Sequence, residues 1–292
     1  MNIVCWSPER EELSSYFAGL FATVCATEFP ASVLAVENYL RSRNLGHCFF
    51  GARYDSLRTD FRQYRADSNN GDTYLEFFER NMGRRIRKRK CLEVLPDRLF
   101  FLPMNQSLPK DFYDYGIYTM YEEIRDFGRR EFDFTVWNLE TNRNPSTTRI
   151  LGDADVILAL VPGTLPAIEE FYLQCRSELS RIRLVLYCRE GEERQLERTE
   201  RKAAMRWGLA RKKIHRLCFG THFLSAAENG NLPNFLEEQK RKREYSADAE
   251  LLKQLRYLVF SVIRNEIGGR ELEFKELKGL LYRRNHSVAM EA

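Results

Sequence analysis

Short apolar runs alternate along the chain with longer stretches of helical period. Residues 3–7 (IVCWS), 32–37 (SVLAVE), 98–103 (RLFFLP), 132–139 (FDFTVWNL), 155–161 (DVILALV) and 183–188 (RLVLYC) read as strands, with a short last one at 213–217. Most are apolar at consecutive positions, the pattern of parallel strands covered on both faces. Residues 16–26 (YFAGLFATVCA), 73–82, 113–127, 166–179, 192–209 and 251–264 read as helices, the second with Asp72 as its N-cap. Residues 38–50 and 142–148 are polar enough to read as loops. Strands alternating with helices predict an α/β fold: a doubly wound, mostly parallel central sheet of six or seven strands with helices on both faces. The pattern predicts a single domain over residues 1–265 and a polar, basic C-terminal extension over 266–292.

Composition narrows this little. The chain has 292 residues, 43% hydrophobic and 30% charged, with a net charge of +4, which does not by itself demand nucleic acid. No apolar run reaches the ~20 residues that span a bilayer. The N-terminus lacks the basic and small-residue pattern of a signal peptide. Seven scattered cysteines, an odd number without a CxxC pair, point to reduced, core-packing thiols and a cytoplasmic protein.

The first two dozen residues carry the most information. A strand, a tight loop and an apolar helix at the start of a chain is how phosphate-binding α/β domains commonly begin. Here the loop, residues 8–15 (PEREELSS), has no Gly to fold backbone amides around a phosphate and no Lys to reach one. It carries Glu9, Glu11 and Glu12 where an anion would sit. Acids in a first helical turn complement the helix dipole, worth ~0.3–1 kcal/mol each, and that is their plainest role. Elsewhere, Arg84, Arg85, Arg87, Lys88, Arg89 and Lys90 form a basic run. It is a candidate contact for a protein partner or an anionic surface, although such runs are most often solvated faces. Without interleaved aromatics, nucleic acid is not favoured there. His215 and His222 have no partner at metal-ligand spacing, so no metal site is expected. Cys188 has no base in sequence reach, and no GxSxG is present, so no catalytic residue is assigned.

Four stretches in order resemble the ParA/MinD family of P-loop ATPases, most of all its divergent TadZ/CpaE-like branch. These are SVLAVENYL at residues 32–40, RLFFLP at 98–103, FDFTVWNLE at 132–140 followed by DADVILALVPGTLPAIEEF at 153–171, and IHRLCFGTHFLSAAENGNLPNFL at 214–236. The resemblance spans about residues 1–236 and implies a P-loop NTPase-like fold. It places Glu9 at the signature Lys of the Walker A loop, Ser14 at the P-loop Lys and Ser15 at the Mg²⁺-binding Thr. Glu37 falls at the acid ending the second strand, and Asn138 at the Walker B Asp. Cys188 falls at a strand end that contacts the base. The nucleotide-binding positions are therefore Ser14, Ser15, Glu37 and Asn138, and they are degenerate. Phosphoryl transfer relies on positioning and on charge neutralisation by Lys and Mg²⁺. Losing both implies a non-catalytic pseudo-ATPase without a cofactor, acting as a localisation or scaffolding protein. The resemblance implies a homodimer that docks a larger assembly such as a Tad/Flp-type pilus, recruited to the inner face of the membrane. The alternative is an active ParA-like ATPase for DNA or plasmid partition, using ATP and Mg²⁺ through an atypical P-loop. A third reading is an unrelated α/β enzyme with its site at the strand C-termini.

Overall fold

The computed structural model describes residues 1–8, 13–29, 31–38, 44–55, 88, 91–103, 110–139, 141–175, 180–208, 210, 213–241 and 246–266. The chain divides into two compact units, Met1–Arg256 and Tyr257–Ala292. The first carries the whole sheet; of the second, only residues 257–266, the end of a helix, are described.

The strands are β1 (Asn2–Trp6), β2 (Val33–Asn38), β3 (Leu92–Leu95), β4 (Leu99–Leu102), β5 (Phe134–Leu139), β6 (Val156–Pro162), β7 (Ile182–Arg189) and β8 (Ile214–Phe219). They form one eight-stranded sheet in the order β3-β4-β2-β5-β1-β6-β7-β8. All neighbours are parallel except β3 and β4, which are antiparallel. β1 lies between β5 and β6, so the first strand of the chain is central and its residues are buried throughout. This is why IVCW and VILALV are apolar at every position and not at alternate ones: each strand has a helix layer on both sides.

The helices are α1 (Leu13–Glu28), α2 (Leu45–Phe50), α3 (Lys110–Glu131), α4 (Pro145–Asp153), α5 (Leu165–Gln174), α6 (Glu193–Trp207), α7 (Thr221–Glu228), α8 (Leu232–Arg241) and α9 (Ala247–Glu266). On one face, Val4, Trp6, Leu34, Val36, Trp137, Leu139, Ile157 and Leu184 pack with α3 through α6. α1 lies on the other face against β1, β2 and β5, with α2, α7 and α8 beside it. α3 shows how sequence sets this layer. Tyr113, Ile117, Tyr121 and Ile124 recur at helical spacing and are buried, while Asp111 in the first turn and Arg129 and Arg130 in the last complement the dipole.

Three elements differ from the sequence expectation. β3 is an eighth strand, and it forms a hairpin with β4 across Pro96–Arg98, where Asp97 sits at φ 57°. It is half-buried and at the sheet edge, so it lacks the continuous apolar pattern of the central strands. Residues 38–50 do not form one loop. α2 begins at Leu45 with Asn44 as N-cap, the Asn44 side chain accepting from the His47 N–H. Residues 142–148 likewise contain the start of α4. Asn144 caps it by accepting from the Thr147 N–H at 2.8 Å, and Pro145 sits in its first turn. The helix expected at 73–82 lies outside the described residues.

The far end of α4 is tied by a residue from the next layer. Arg181 Nη1 donates to the carbonyls of Leu151 at 3.0 Å, Gly152 at 2.6 Å and Ala154 at 3.1 Å. One guanidinium thus satisfies three carbonyls that the helix leaves open at its C-terminus. Arg181→Ala is expected to destabilise the protein by about 1–3 kcal/mol. Arg181→Lys should recover only part, because the Lys ammonium ends short of where Nη1 stands and is more strongly hydrated. Urea midpoints of the two variants check this.

Candidate functional site

The C-terminal ends of β2, β5 and β1 converge on a buried polar cluster. Register pairs Glu37 of β2 with Asn138 of β5, and Asn138 with Cys5 of β1, so the three lie in one row across the sheet. Side chains alternate between faces along a strand, and α1 covers the face this row points to. Ser15, in the first turn of α1, completes the cluster from above. The Asn138 Nδ2 donates to Ser15 Oγ at 2.8 Å and to Glu37 Oε1 at 2.8 Å. The other oxygen of Glu37 accepts from the backbone N–H of Leu45 at 2.6 Å, where α2 begins. Glu37, Asn138 and Ser15 are all 0% exposed.

This environment governs the charge of Glu37. Burial pushes its carboxyl up to about 8, against the opposing pull of the hydrogen bonds from Leu45 and Asn138. At neutral pH the group therefore holds its proton, and the cluster is uncharged. Asn138 suits a protonated partner. Its Oδ1 is buried and makes no hydrogen bond. Turning the amide would let that oxygen accept from the Ser15 hydroxyl and from a protonated Glu37, so either orientation joins the three side chains.

A second row strengthens the same strand ends on the opposite face. Asn38, next along β2, donates from Nδ2 to Ser146 Oγ at 2.9 Å and Thr147 Oγ1 at 3.4 Å in the first turn of α4. Tyr113 OH donates to the Glu37 carbonyl at 3.0 Å. Sequence reading missed Asn38, Asn44, Tyr113, Ser146 and Thr147. The signal that could have found α2 is Asn44 followed by apolar residues at Leu45, Cys48 and Phe49.

Of the expected site residues, the structure brings Ser15, Glu37 and Asn138 into hydrogen-bond contact. Ser14 is buried beside Ser15 in α1, which starts at Leu13 and so takes in the last three residues of the loop read from sequence. Glu9, Glu11 and Glu12 lie outside the described residues, as do Arg84, Arg85, Arg87, Arg89 and Lys90 of the basic run. Lys88 is described: its Nζ lies 4.1 Å from the centre of the Phe100 ring at the sheet edge. His215 is buried in β8, and burial together with Arg183 lowers its pKa to about 4, so it is neutral. His222 is exposed and its Nδ1 lies 3.3 Å from Asp248 Oδ2. Among the described residues no group of three or more His, Cys, Asp or Glu side chains could hold a metal ion.

A strand-first α/β sheet with β1 at its centre and helices on both faces is the P-loop NTPase-like architecture of the ParA and MinD ATPases. The ParA family ATPase from Chlorobium tepidum TLS superposes with a TM-score of 0.62 at 14% identity, covering 89% of this chain and 98% of that one. MinD complexed with Mg-ADP from Pyrococcus horikoshii OT3 gives 0.61 at 10% identity, covering 93% and 99%. MinD in the MinC:MinD cell division complex of Aquifex aeolicus gives 0.57 at 13% identity, covering 94% and 98%. No protein-family model matches the chain. No curated protein matches it in sequence.

Proposed function

We propose that this protein is a non-catalytic relative of the ParA/MinD ATPases that works by contact, as a localisation or scaffolding protein. The observation that carries this reading is the mutual bonding of Ser15, Asn138 and Glu37. Mg²⁺ in such a site needs oxygen ligands of negative charge, and ATP needs a cation at its phosphates. Here Ser15 Oγ and Glu37 Oε1 both face the Asn138 amide, Glu37 is neutral at pH 7, and the resemblance puts Ser14 where the Walker lysine would stand. A neutral, internally bonded cluster does not fit Mg-ATP. Its polar atoms serve instead to join α1, α2, β2 and β5.

Without a nucleotide to bridge subunits, a homodimer would rest on direct protein contacts. The TadZ/CpaE-like stretches suggest a role in positioning a Tad/Flp-type pilus or a related envelope assembly. A neighbour of the same fold is known in complex with MinC, which fits a role in docking partners. Among the described residues no helix is long and apolar enough to cross a membrane, so recruitment to a membrane face would run through a partner or a surface contact.

Purified protein is expected to release no phosphate from Mg-ATP, and Mg-ATP should leave its melting temperature unchanged. Its mass by light scattering should be the same with and without nucleotide. Phosphate release that disappears in Ser15→Ala would overturn the proposal and favour an active ATPase in DNA partition.

A further inference from the structure

The C-terminal ends of β7 and β8 carry two cysteines that stand opposite each other. Cys188 and Cys218 are paired in register across these parallel strands. Residues directly opposite in a parallel pair point to the same face, and their Cα separation of about 5 Å lies within the range a disulfide spans. Cys218 Sγ donates to Glu193 Oε1 at 3.3 Å and to the Arg189 carbonyl at 3.4 Å. Above them runs the β7–α6 turn, residues 189–192, which is exposed, with open space around Gly191. Cys188 is 7% exposed and Cys218 3%, so the pair sits directly under the surface. Among the other described cysteines, Cys5, Cys25, Cys48 and Cys175 are fully buried and Cys91 is half-buried.

We infer that Cys188 and Cys218 form an oxidisable dithiol, which closes to a cross-strand disulfide on sustained exposure to hydrogen peroxide. The Cys218 thiol gives its proton to solvent, and the Cys218 sulfur attacks one peroxide oxygen. The O–O bond breaks, hydroxide leaves and takes a proton back from solvent as water, and Cys218 becomes a sulfenic acid. The Cys188 sulfur then attacks that sulfur. The S–O bond breaks and hydroxide leaves with the Cys188 proton as the second water. Two thiols and one peroxide yield one disulfide and two waters, two electrons passing from sulfur to oxygen.

Glu193 is the charged group that the Cys218 thiol faces. The N–H groups of Gly191 and of Glu193 itself hold its carboxyl below the usual range, so it is ionised at neutral pH. Burial raises both thiols, and the ionised Glu193 raises Cys218 further. The reaction is therefore slow and belongs to sustained oxidation, not to a rapid peroxide sensor. The resulting bond staples the ends of β7 and β8 beneath the turn. This holds whether or not the strand ends elsewhere bind a nucleotide.

The test treats the folded full-length protein with hydrogen peroxide, alkylates the remaining thiols and digests with trypsin without reduction. The expected product is a cross-link between peptides 184–189 and 217–240, released by dithiothreitol, with Cys5, Cys25 and Cys48 recovered alkylated after unfolding. Glu193→Gln removes a charge that disfavours the Cys218 thiolate and should speed cross-linking several-fold. Recovery of Cys188 and Cys218 as free thiols, or as separate sulfinic acids, overturns the inference. So does a disulfide between other cysteines. The readout is on the native sequence, so it does not depend on any cysteine variant folding.

Discussion

Glu37→Gln is expected to leave the protein as stable as the parent at pH 5 and clearly more stable at pH 9. The reason is the direction in which burial moves the Glu37 proton. Its folded value is raised to about 8 from an ordinary 4.5. Between those values the folded state holds a proton that the unfolded chain has released. Stability from this group is therefore present in full below pH 4.5, falls as pH rises, and is lost once pH passes 8. Each pH unit in that window corresponds to at most about 1.4 kcal/mol, so the parent should lose several kcal/mol that the variant keeps. Gln has the shape of the neutral acid. Its oxygen can accept from Leu45, and its amide can bond Asn138 once that side chain is turned. Glu37→Ala removes both bonds and opens a cavity, and should cost about 2–4 kcal/mol at pH 5, a deficit that closes towards pH 9 because Ala, like Gln, has no buried proton to lose. Denaturant midpoints of the three proteins from pH 5 to 9 give the comparison. Equal pH slopes for parent and Glu37→Gln would show that Glu37 is ionised in the fold. That result would remove the main support for a neutral, nucleotide-free cluster.

Gly230→Ala is expected to be more damaging than any of these, lowering stability by more than about 3 kcal/mol or preventing accumulation of folded protein. Gly230 lies in the turn after α7 at φ 68°, where a side chain is strained. The backbone of Gly51, at the end of α2, occupies the place a Cβ would take. Gly51 is itself at φ 58° and donates its N–H to the His47 carbonyl at 2.8 Å. Both sides of the contact are backbone, so no side chain can swing away to relieve it. Because Gly51 closes α2 and Glu37 anchors its first N–H, the two predictions concern the two ends of one short helix. Loosening the Gly230 end should also loosen the buried acid. A partly folded Gly230→Ala protein is expected to show faster hydrogen exchange at Leu45. As a comparison, Gly152→Ala should cost little, because nothing lies near a Cβ added there.

The central strands and long helices were legible in the sequence because burial on two faces, or on one face at helical period, leaves a pattern in the residues themselves. That pattern gave β1, β2, β4, β5, β6, β7 and β8 and the doubly wound class; the strand order came from the structure. Ser15, Glu37 and Asn138 were singled out only through the resemblance to ParA/MinD proteins, which put them at nucleotide-binding positions; their bonding to one another was not legible. Three further features were not legible. β3 is half exposed at an edge and needs β4 beside it to be a strand. α2 is six residues long, too short to form by its own propensity. It exists because Glu37 takes its first N–H and the Gly51–Gly230 contact fixes its end. The protonation of Glu37 also has no sequence signature. An acid at the end of an apolar strand reads the same whether it faces water, a metal or an amide. What the residues determined by themselves was the layering of the sheet, which follows from where apolar surface must go. What only the tertiary structure decided was that Glu37 meets an asparagine and a serine in a dry space. Three distant segments have to close around the acid before water leaves it and its proton stays.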